Sequence, residues 1–245
     1  MCIYSLFRSM TKIALRSILF LDIETVSWAE SFEKLDPVMQ KLRTKKAEKM
    51  QREDKEISAQ EKYLLKAGIF SEFAKIICIA VGFFKDDNLV IRSFVNEDEF
   101  TLLADFSHFL EQSRSAPQAH LCAHNGKEFD FPFLARRLII NQLAVPAILF
   151  SAEKKPREVN HLDTMVLRKF WDHKNYTPLE LLTVCLWLPS PKDDIDGSQV
   201  SSLYRSTKDL ARISTYCQKD VLALVQVYLR LTSQSILSDS QILFS

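Results

Sequence analysis

An apolar run that carries two acids, Ile18-Leu19-Phe20-Leu21-Asp22-Ile23-Glu24-Thr25, constrains this chain more than any other segment. Short runs this rich in apolar residues form buried strands. Side chains two apart on a strand share a face. Asp22 and Glu24 therefore emerge side by side where a domain is driest. Buried like charges are unfavourable unless something positive neutralises them. A hard divalent cation, which takes carboxylate oxygens, meets that need. The competing role is modest: an acid at a strand end also solvates turns or caps a following helix.

The rest of the composition narrows the choice. A net charge of +1 provides no global basic field, so binding of a polyanion needs a local basic patch or metal ions. The four glycines, Gly68, Gly82, Gly126 and Gly197, form neither G-x-x-x-x-G-K nor G-x-G-x-x-G, which argues against a glycine-rich phosphate loop. Cys2, Cys78, Cys122, Cys185 and Cys217 are dispersed, with no C-x-x-C pair. That pattern suits reduced thiols in a cytoplasmic protein and argues against a zinc site. No apolar run approaches membrane-spanning length, so a membrane is not an expected partner. Residues 1–17 lack a signal-peptide core and cleavage site. They read as an extension ahead of one domain over 18–245, a size for which 47 % hydrophobic residues supply a substantial core.

From about 31 to 66 the chain becomes dense in charge, with thinly spaced apolar residues, and reads as a helical insertion after the first strand. Either it is a solvated hairpin or it is a basic flap built on Lys41, Arg43, Lys45, Lys46 and Lys49. A strand follows over Lys75–Phe84. The turn residues Asp86-Asp87-Asn88 and a second strand over Leu89–Val95 complete an antiparallel hairpin. Helical spacing then spans Glu97–Gln112, and short strands fit Ala119–His124 and Val159–Asp163. Helices fit Phe131–Asn141, Pro178–Leu188, Ser198–Tyr204 and Lys208–Leu231. The order β, insertion, β, β, α, β, α, β, helices predicts an α/β fold with a mixed β-sheet flanked by helices.

Two further acids stand out. In Ala123-His124-Asn125-Gly126-Lys127-Glu128-Phe129-Asp130-Phe131-Pro132-Phe133, Asp130 lies between phenylalanines just before a helix, where capping is its alternative role. In Tyr216-Cys217-Gln218-Lys219-Asp220, Tyr216 and Asp220 are one helical turn apart. They fall at the edge of a buried stripe formed by Leu210, Ile213, Cys217, Val221, Leu224 and Tyr228. Lys208, Arg212, Lys219, Gln226 and Arg230 face away.

Asp-x-Glu on the first strand, Asn-x-x-x-Phe-Asp before a helix and Tyr-x-x-x-Asp on a late helix resemble the three motifs of the DEDD exonucleases, in the tyrosine-bearing DEDDy branch. The wider stretches, including Asp194-Ile195-Asp196-Gly197-Ser198-Gln199-Val200, look like the bacterial 3′–5′ exonucleases related to the proofreading domain of family B DNA polymerases. The resemblance runs from about residue 18 to 231. It implies a ribonuclease H-like fold and metal-assisted phosphodiester hydrolysis with two Mg²⁺ or Mn²⁺ ions. By that resemblance Asp22 bridges both ions, Glu24 and Asp220 hold the one that activates water, Asp130 supports the other, and Tyr216 orients the water. Thr25, Asn125 and Phe129 are the candidates for binding the terminal nucleotide. Turn roles compete for Thr25 and Asn125, and core packing competes for Phe129 and Phe131. Asp163 joins the metal shell or caps the next helix, with capping favoured, and His124 reads as structural. The expected partner is nucleic acid, single-stranded DNA ahead of RNA, with a polymerase or repair protein left open. A catalytically silent nucleic-acid-binding module on the same fold is the alternative.

Overall fold

The computed structural model describes residues 13–50, 67–112, 120–155, 158–170, 176–189, 195 and 197–245. Its frame is a mixed sheet of order β5-β4-β1-β2-β3-β6. The strands are β1 (Ile18–Ser27), β2 (Ala74–Lys85), β3 (Asn88–Val95), β4 (His120–Ala123), β5 (Leu162–Asp163) and β6 (Ile242–Phe244). β1, β2 and β3 are successive antiparallel neighbours, while β4 runs parallel to β1 and β5 parallel to β4. Among the described residues the helices are α1 (Pro37–Met50), α2 (Glu99–Gln112), α3 (Asp130–Ile140), α4 (Thr164–Lys169), α5 (Leu179–Cys185), α6 (Gly197–Thr207) and α7 (Leu210–Leu231). This is the expected α/β architecture, consistent with a ribonuclease H-like exonuclease fold.

β1 explains why the sheet is two-sided. Its alternate residues Leu19, Leu21 and Ile23 pack with α2 and α3, through Leu103, Phe106 and Leu134. Ile18, Phe20 and Val26 pack with α7, through Ile213, Cys217, Val221 and Leu224. By the period of two, Asp22 and Glu24 belong to the α7 side. The pairing of β1 with β2 slips beside them: Glu24 opposes Cys78, but Thr25 opposes Ile76. The extra residue, Ile77, makes a bulge on β2, so Ile77 and Cys78 both join the α7-side core.

α7 approaches this face closely because Gly82 carries no side chain. A Cβ there would lie 2.8 Å from Val221 Cγ1. Val221 follows Asp220, so this contact sets how near Asp220 comes to β1. The stripe read from the sequence is buried as expected, with one difference. Gln226 was placed on the outward face but is buried. Its amide donates to Leu237 O (3.0 Å) and accepts from Leu237 N (2.9 Å), fastening a returning C-terminal segment. That segment ends in β6, a strand the sequence reading lacked, paired parallel to β3. Three residues are too few for periodicity to register.

On the opposite side, Glu99 and Arg137 form a buried pair, 4 % and 1 % exposed. Arg137 Nε donates to Glu99 Oε1 (2.8 Å), its Nη2 donates to Oε2, and its Nη1 donates to Ser71 O (2.7 Å). Ile76 N (2.7 Å) and Asn141 Nδ2 (2.9 Å) also donate to Glu99. The pair joins α2, α3 and β2 with every carboxylate oxygen engaged.

Of the expected insertion, residues 37–50 form α1 and residues 51–66 lie outside the described residues. Two of the basic residues read as a flap are occupied. Arg43 is buried, its guanidinium 5.4 Å from the Phe70 ring and 5.6 Å from the Phe73 ring. Lys46 sits 4.3 Å from the Phe70 ring and bonds Glu72 at 3.1 Å. Lys41 and Lys45 are exposed. Residues 1–12 lie outside the described residues, while Ile13 and Leu15 pack against the α7-side core.

Candidate active site

A cavity of about 560 Å³ opens beside β1 beyond the end of its pairing with β4. All eight site residues named from the sequence line it: Asp22, Glu24, Thr25, Asn125, Phe129, Asp130, Tyr216 and Asp220. Four carboxylates from three distant segments thus converge on one space. The strand supplies Asp22 and Glu24, the start of α3 supplies Asp130, and α7 supplies Asp220.

Asp130 is not the helix cap that its position suggested. The capping position is Phe129, and no side-chain cap bond is made there. The Asp130 carboxylate instead accepts from its own backbone N–H and from Ile23 N–H, the residue between Asp22 and Glu24. β4 pairs with β1 only as far as Phe20, so Asp130 engages β1 past the end of that ladder. Its hydrogen bonds tie the second acidic segment to the first.

The electrostatics follow from this crowding. Burial, then the charges of Asp220 and Asp130, holds the Asp22 carboxyl well above the usual range. Burial and the neighbouring Asp22 and Asp220 do the same to Glu24. Burial, with Asp163 adding to it, lifts Asp130 to about 7. Tyr216 donates its hydroxyl to Asp220. Burial and the surrounding carboxylates push that phenol far upward, so it stays protonated and serves as a donor rather than a base.

Cys217 is a neighbour the sequence reading assigned only to the core. Its thiol donates to Asp22 Oδ2 (3.4 Å) and reaches Asp22 O (3.5 Å). Ligand atoms of Asp22, Glu24 and Cys217 lie within 4.8 Å of one another, close enough to surround one cation. The donor set is dominated by carboxylate oxygen, which suits Mg²⁺ or Mn²⁺. These residues therefore fit a divalent metal.

Asp163 caps α4, accepting from Met165 N (2.9 Å) and Val166 N (3.3 Å). It also accepts from Asn125 N (3.0 Å) and Lys127 N (3.1 Å). These bonds hold the loop ahead of Asp130, where Asn125 adopts φ 64°, a left-handed conformation that Asn tolerates. The capping role is realised, and with it comes a second role as a brace for this loop. Thr25 donates to Gly68 O (2.8 Å), a structural bond across 43 positions rather than within a turn. Phe131 is core, its ring 4.9 Å from His161. Phe129 is half-buried, packs on Phe133 at 5.2 Å and still lines the cavity.

Residues 69–240 match a family described as predicted 3′–5′ exonucleases related to the exonuclease domain of PolB. The chain belongs to that family. The match contains Asn125, Phe129, Asp130, Tyr216 and Asp220 and begins after Asp22 and Glu24. The fold brings those two acids to the family's residues. No curated protein matches the chain. Of the segment 194–200, to which the sequence assigns no chemistry, residues 194 and 196 lie outside the described residues, and the start of α6 reaches the site. Gly197 and Ser198 line the cavity, and a Cβ on Gly197 would stand 3.6 Å from the Tyr216 hydroxyl. Ile69, Tyr176 and Glu180 complete a lining that no periodicity signalled.

Proposed function

We propose that this chain is a metal-dependent 3′–5′ exonuclease acting on single-stranded DNA in preference to RNA. The observation behind this reading is the convergence of Asp22, Glu24, Asp130 and Asp220 on one cavity that no lysine or arginine lines among the described residues. Burial makes the excess negative charge unfavourable, and a counter-charge has to enter from solution. Asp22, Glu24, Asp130 and Asp220 would hold two Mg²⁺ or Mn²⁺ ions. Such a pair, when bound, offsets the charge of a scissile phosphate and makes water a better nucleophile near neutral pH.

The chain's own groups do the remaining work. Tyr216 presents a protonated hydroxyl beside Asp220 and positions the attacking water. Thr25, Asn125 and Phe129 surround the terminal nucleotide. A cavity of about 560 Å³ suits a single unpaired nucleotide rather than a duplex end. No helix among the described residues is long and apolar enough to cross a membrane, and the four described cysteines are free thiols. Both fit the proposed cytoplasmic setting. The deciding experiment uses a 5′-labelled single strand with Mg²⁺ or Mn²⁺. Stepwise shortening from the 3′ end is expected. Retention without cleavage would favour a silent binding module, and loss of a terminal phosphate alone would indicate a phosphatase.

A further inference from the structure

Trp28 stands on the surface, 56 % exposed, just past the end of β1. It is held from two directions. Its backbone N–H donates to Phe73 O (2.8 Å), which carries the pairing of β1 with β2 one step beyond Ser27 and Ala74. The buried Arg137 guanidinium backs its indole at 5.1 Å. An exposed ring fixed in this way loses little freedom when something covers its outer side. Cations stand beside it. Arg137 also donates to Ser71 O (2.7 Å), which brings the following residue, Glu72, to the same border. Lys46 of α1 donates to Glu72 (3.1 Å) and sits 4.3 Å from the Phe70 ring, while Arg136 of α3 is exposed. Partial burial pushes the Glu72 carboxyl up, but its own backbone N–H, Lys46 and Arg136 outweigh that and hold it below the usual range. One carboxylate thus lies between two cations, and the three groups together keep a surplus of positive charge.

We propose that Trp28, Lys46 and Arg136 form a second strand-binding surface outside the cavity, which takes the nucleotides behind the 3′-terminal one. This rests on the exonuclease reading given above. The cavity suits a single nucleotide, so the rest of the strand has to leave it. Thr25 lines the cavity, and Trp28 lies three residues further along, about 10 Å at the rise of a strand. A strand that follows β1 outward therefore meets the indole soon after the cup. There a base stacks on the ring whatever its identity, and Arg136 and the pinned Lys46 attract phosphates. Metal ions offset phosphate charge inside the cup, and side-chain cations do so outside it. Trp28 and Lys46 precede the residues that match the exonuclease family, so this surface draws on the chain's own N-terminal segment.

The test varies strand length. Trp28→Ala, Trp28→Phe and Arg136→Ala are compared with wild type on a thymidine dinucleotide, which fills only the cavity, and on a long oligothymidylate. Cleavage is read with Mg²⁺, and affinity and tryptophan fluorescence are read with Ca²⁺ in its place. On the long strand Trp28→Ala should weaken binding about tenfold, through KM rather than kcat. Arg136→Ala should lower the slope of log affinity against log salt by about 1. The long strand should quench wild-type fluorescence, and most of that quenching should be gone in Trp28→Phe. On the dinucleotide all four proteins should be alike. Equal losses on both lengths would overturn the surface, as would no loss on either, or quenching that survives Trp28→Phe. Should Trp28→Ala fail to fold, Trp28→Phe and Arg136→Ala decide the matter by the same readings. A wild type that cleaves nothing but binds the long strand through Trp28 would sink the exonuclease reading and uphold the surface. A wild type that neither cleaves nor binds would sink both.

Discussion

Two of the places where carboxylates are buried among the described residues are handled in opposite ways. Glu99 is matched by Arg137 and receives four hydrogen bonds from side chains and backbone around it. Its two oxygens have no further capacity, and the sheet, α2 and α3 are joined through it. Asp22, Glu24, Asp130 and Asp220 share a cavity whose lining, among the described residues, holds no lysine or arginine. Burial and the neighbouring acids raise the affinity of Asp22 and Glu24 for protons instead. The first group is a closed account of charge, made of parts that fold together. The second is open, and its missing half must come from solution. Structure and chemistry separate along this line: balanced charge holds elements in place, unbalanced charge waits for a ligand.

The comparison breaks most sharply on two single substitutions. Arg137→Ala leaves Glu99 buried and unpaired, and should lower the unfolding free energy in urea by about 3–5 kcal/mol. A loss under ~1 kcal/mol would mean that the pair is not the brace described. Asp22→Asn should do the reverse. Cleavage of a single strand should fall about a thousandfold, roughly 4 kcal/mol of transition-state stabilisation. The metal-free variant should melt no lower than wild type, because one of the repelling charges is gone. Undiminished turnover would end the metal-site proposal.

A smaller effect comes from filling the open half. Mg²⁺ or Mn²⁺ at about a hundredfold over its dissociation constant should stabilise the folded state by ~2.7 kcal/mol. In a chain of this size that corresponds to several degrees in Tm. Asp22→Asn should abolish most of the shift, and Arg137→Lys should leave it intact. Equal shifts in wild type and Asp22→Asn would place the bound metal elsewhere.

Gly82→Ala sharpens the comparison from the packing side. The added methyl meets Val221 and forces α7 outward, at a cost of about 1–3 kcal/mol in stability. Activity should fall further than that stability change explains, because Asp220 moves with the helix. Wild-type kinetics in this variant would show that the cup tolerates the displacement.

The smallest effect concerns a buried group that stays uncharged. Burial lowers His161 to about 4 from its ordinary 6.5. The unfolded chain therefore binds a proton at a pH where the folded one does not. Stability should be fully present above pH ~6.5 and decline as the pH falls toward ~4. His161→Gln should flatten that decline in acid-unfolding curves, and NMR titration of the ring reports the value directly.

Much of this arrangement was legible from the chain. The apolar run of β1 and its period of two placed Asp22 and Glu24 on one face, and the 100° step of α7 put Asp220 and Tyr216 near its buried stripe. These are local regularities, which sequence carries well. What escaped depends on contacts between segments remote in sequence. Asp130 looked like a cap because the Ile23 N–H it bonds lies 107 positions earlier in the chain. Asp163 was legible as a cap, while its grip on Asn125 and Lys127 was not. Gln226 read as solvent-facing because only the folded tail supplies Leu237. Tyr176 gave no signal, since a single aromatic residue in a connecting segment is ordinary until a cavity is seen beside it.

The returning tail has an effect beyond its fastening to α7. Through β6 it occupies the outer flank of β3, pairing alongside Leu89, Val90 and Ile91 where that edge would otherwise be open. Bare flanks of this kind recruit strands from other molecules. Removal of residues 238–245 would leave a sticky border along an intact catalytic unit, and the consequence would be seen first as concentration-dependent clumping, with turnover per dissolved molecule preserved.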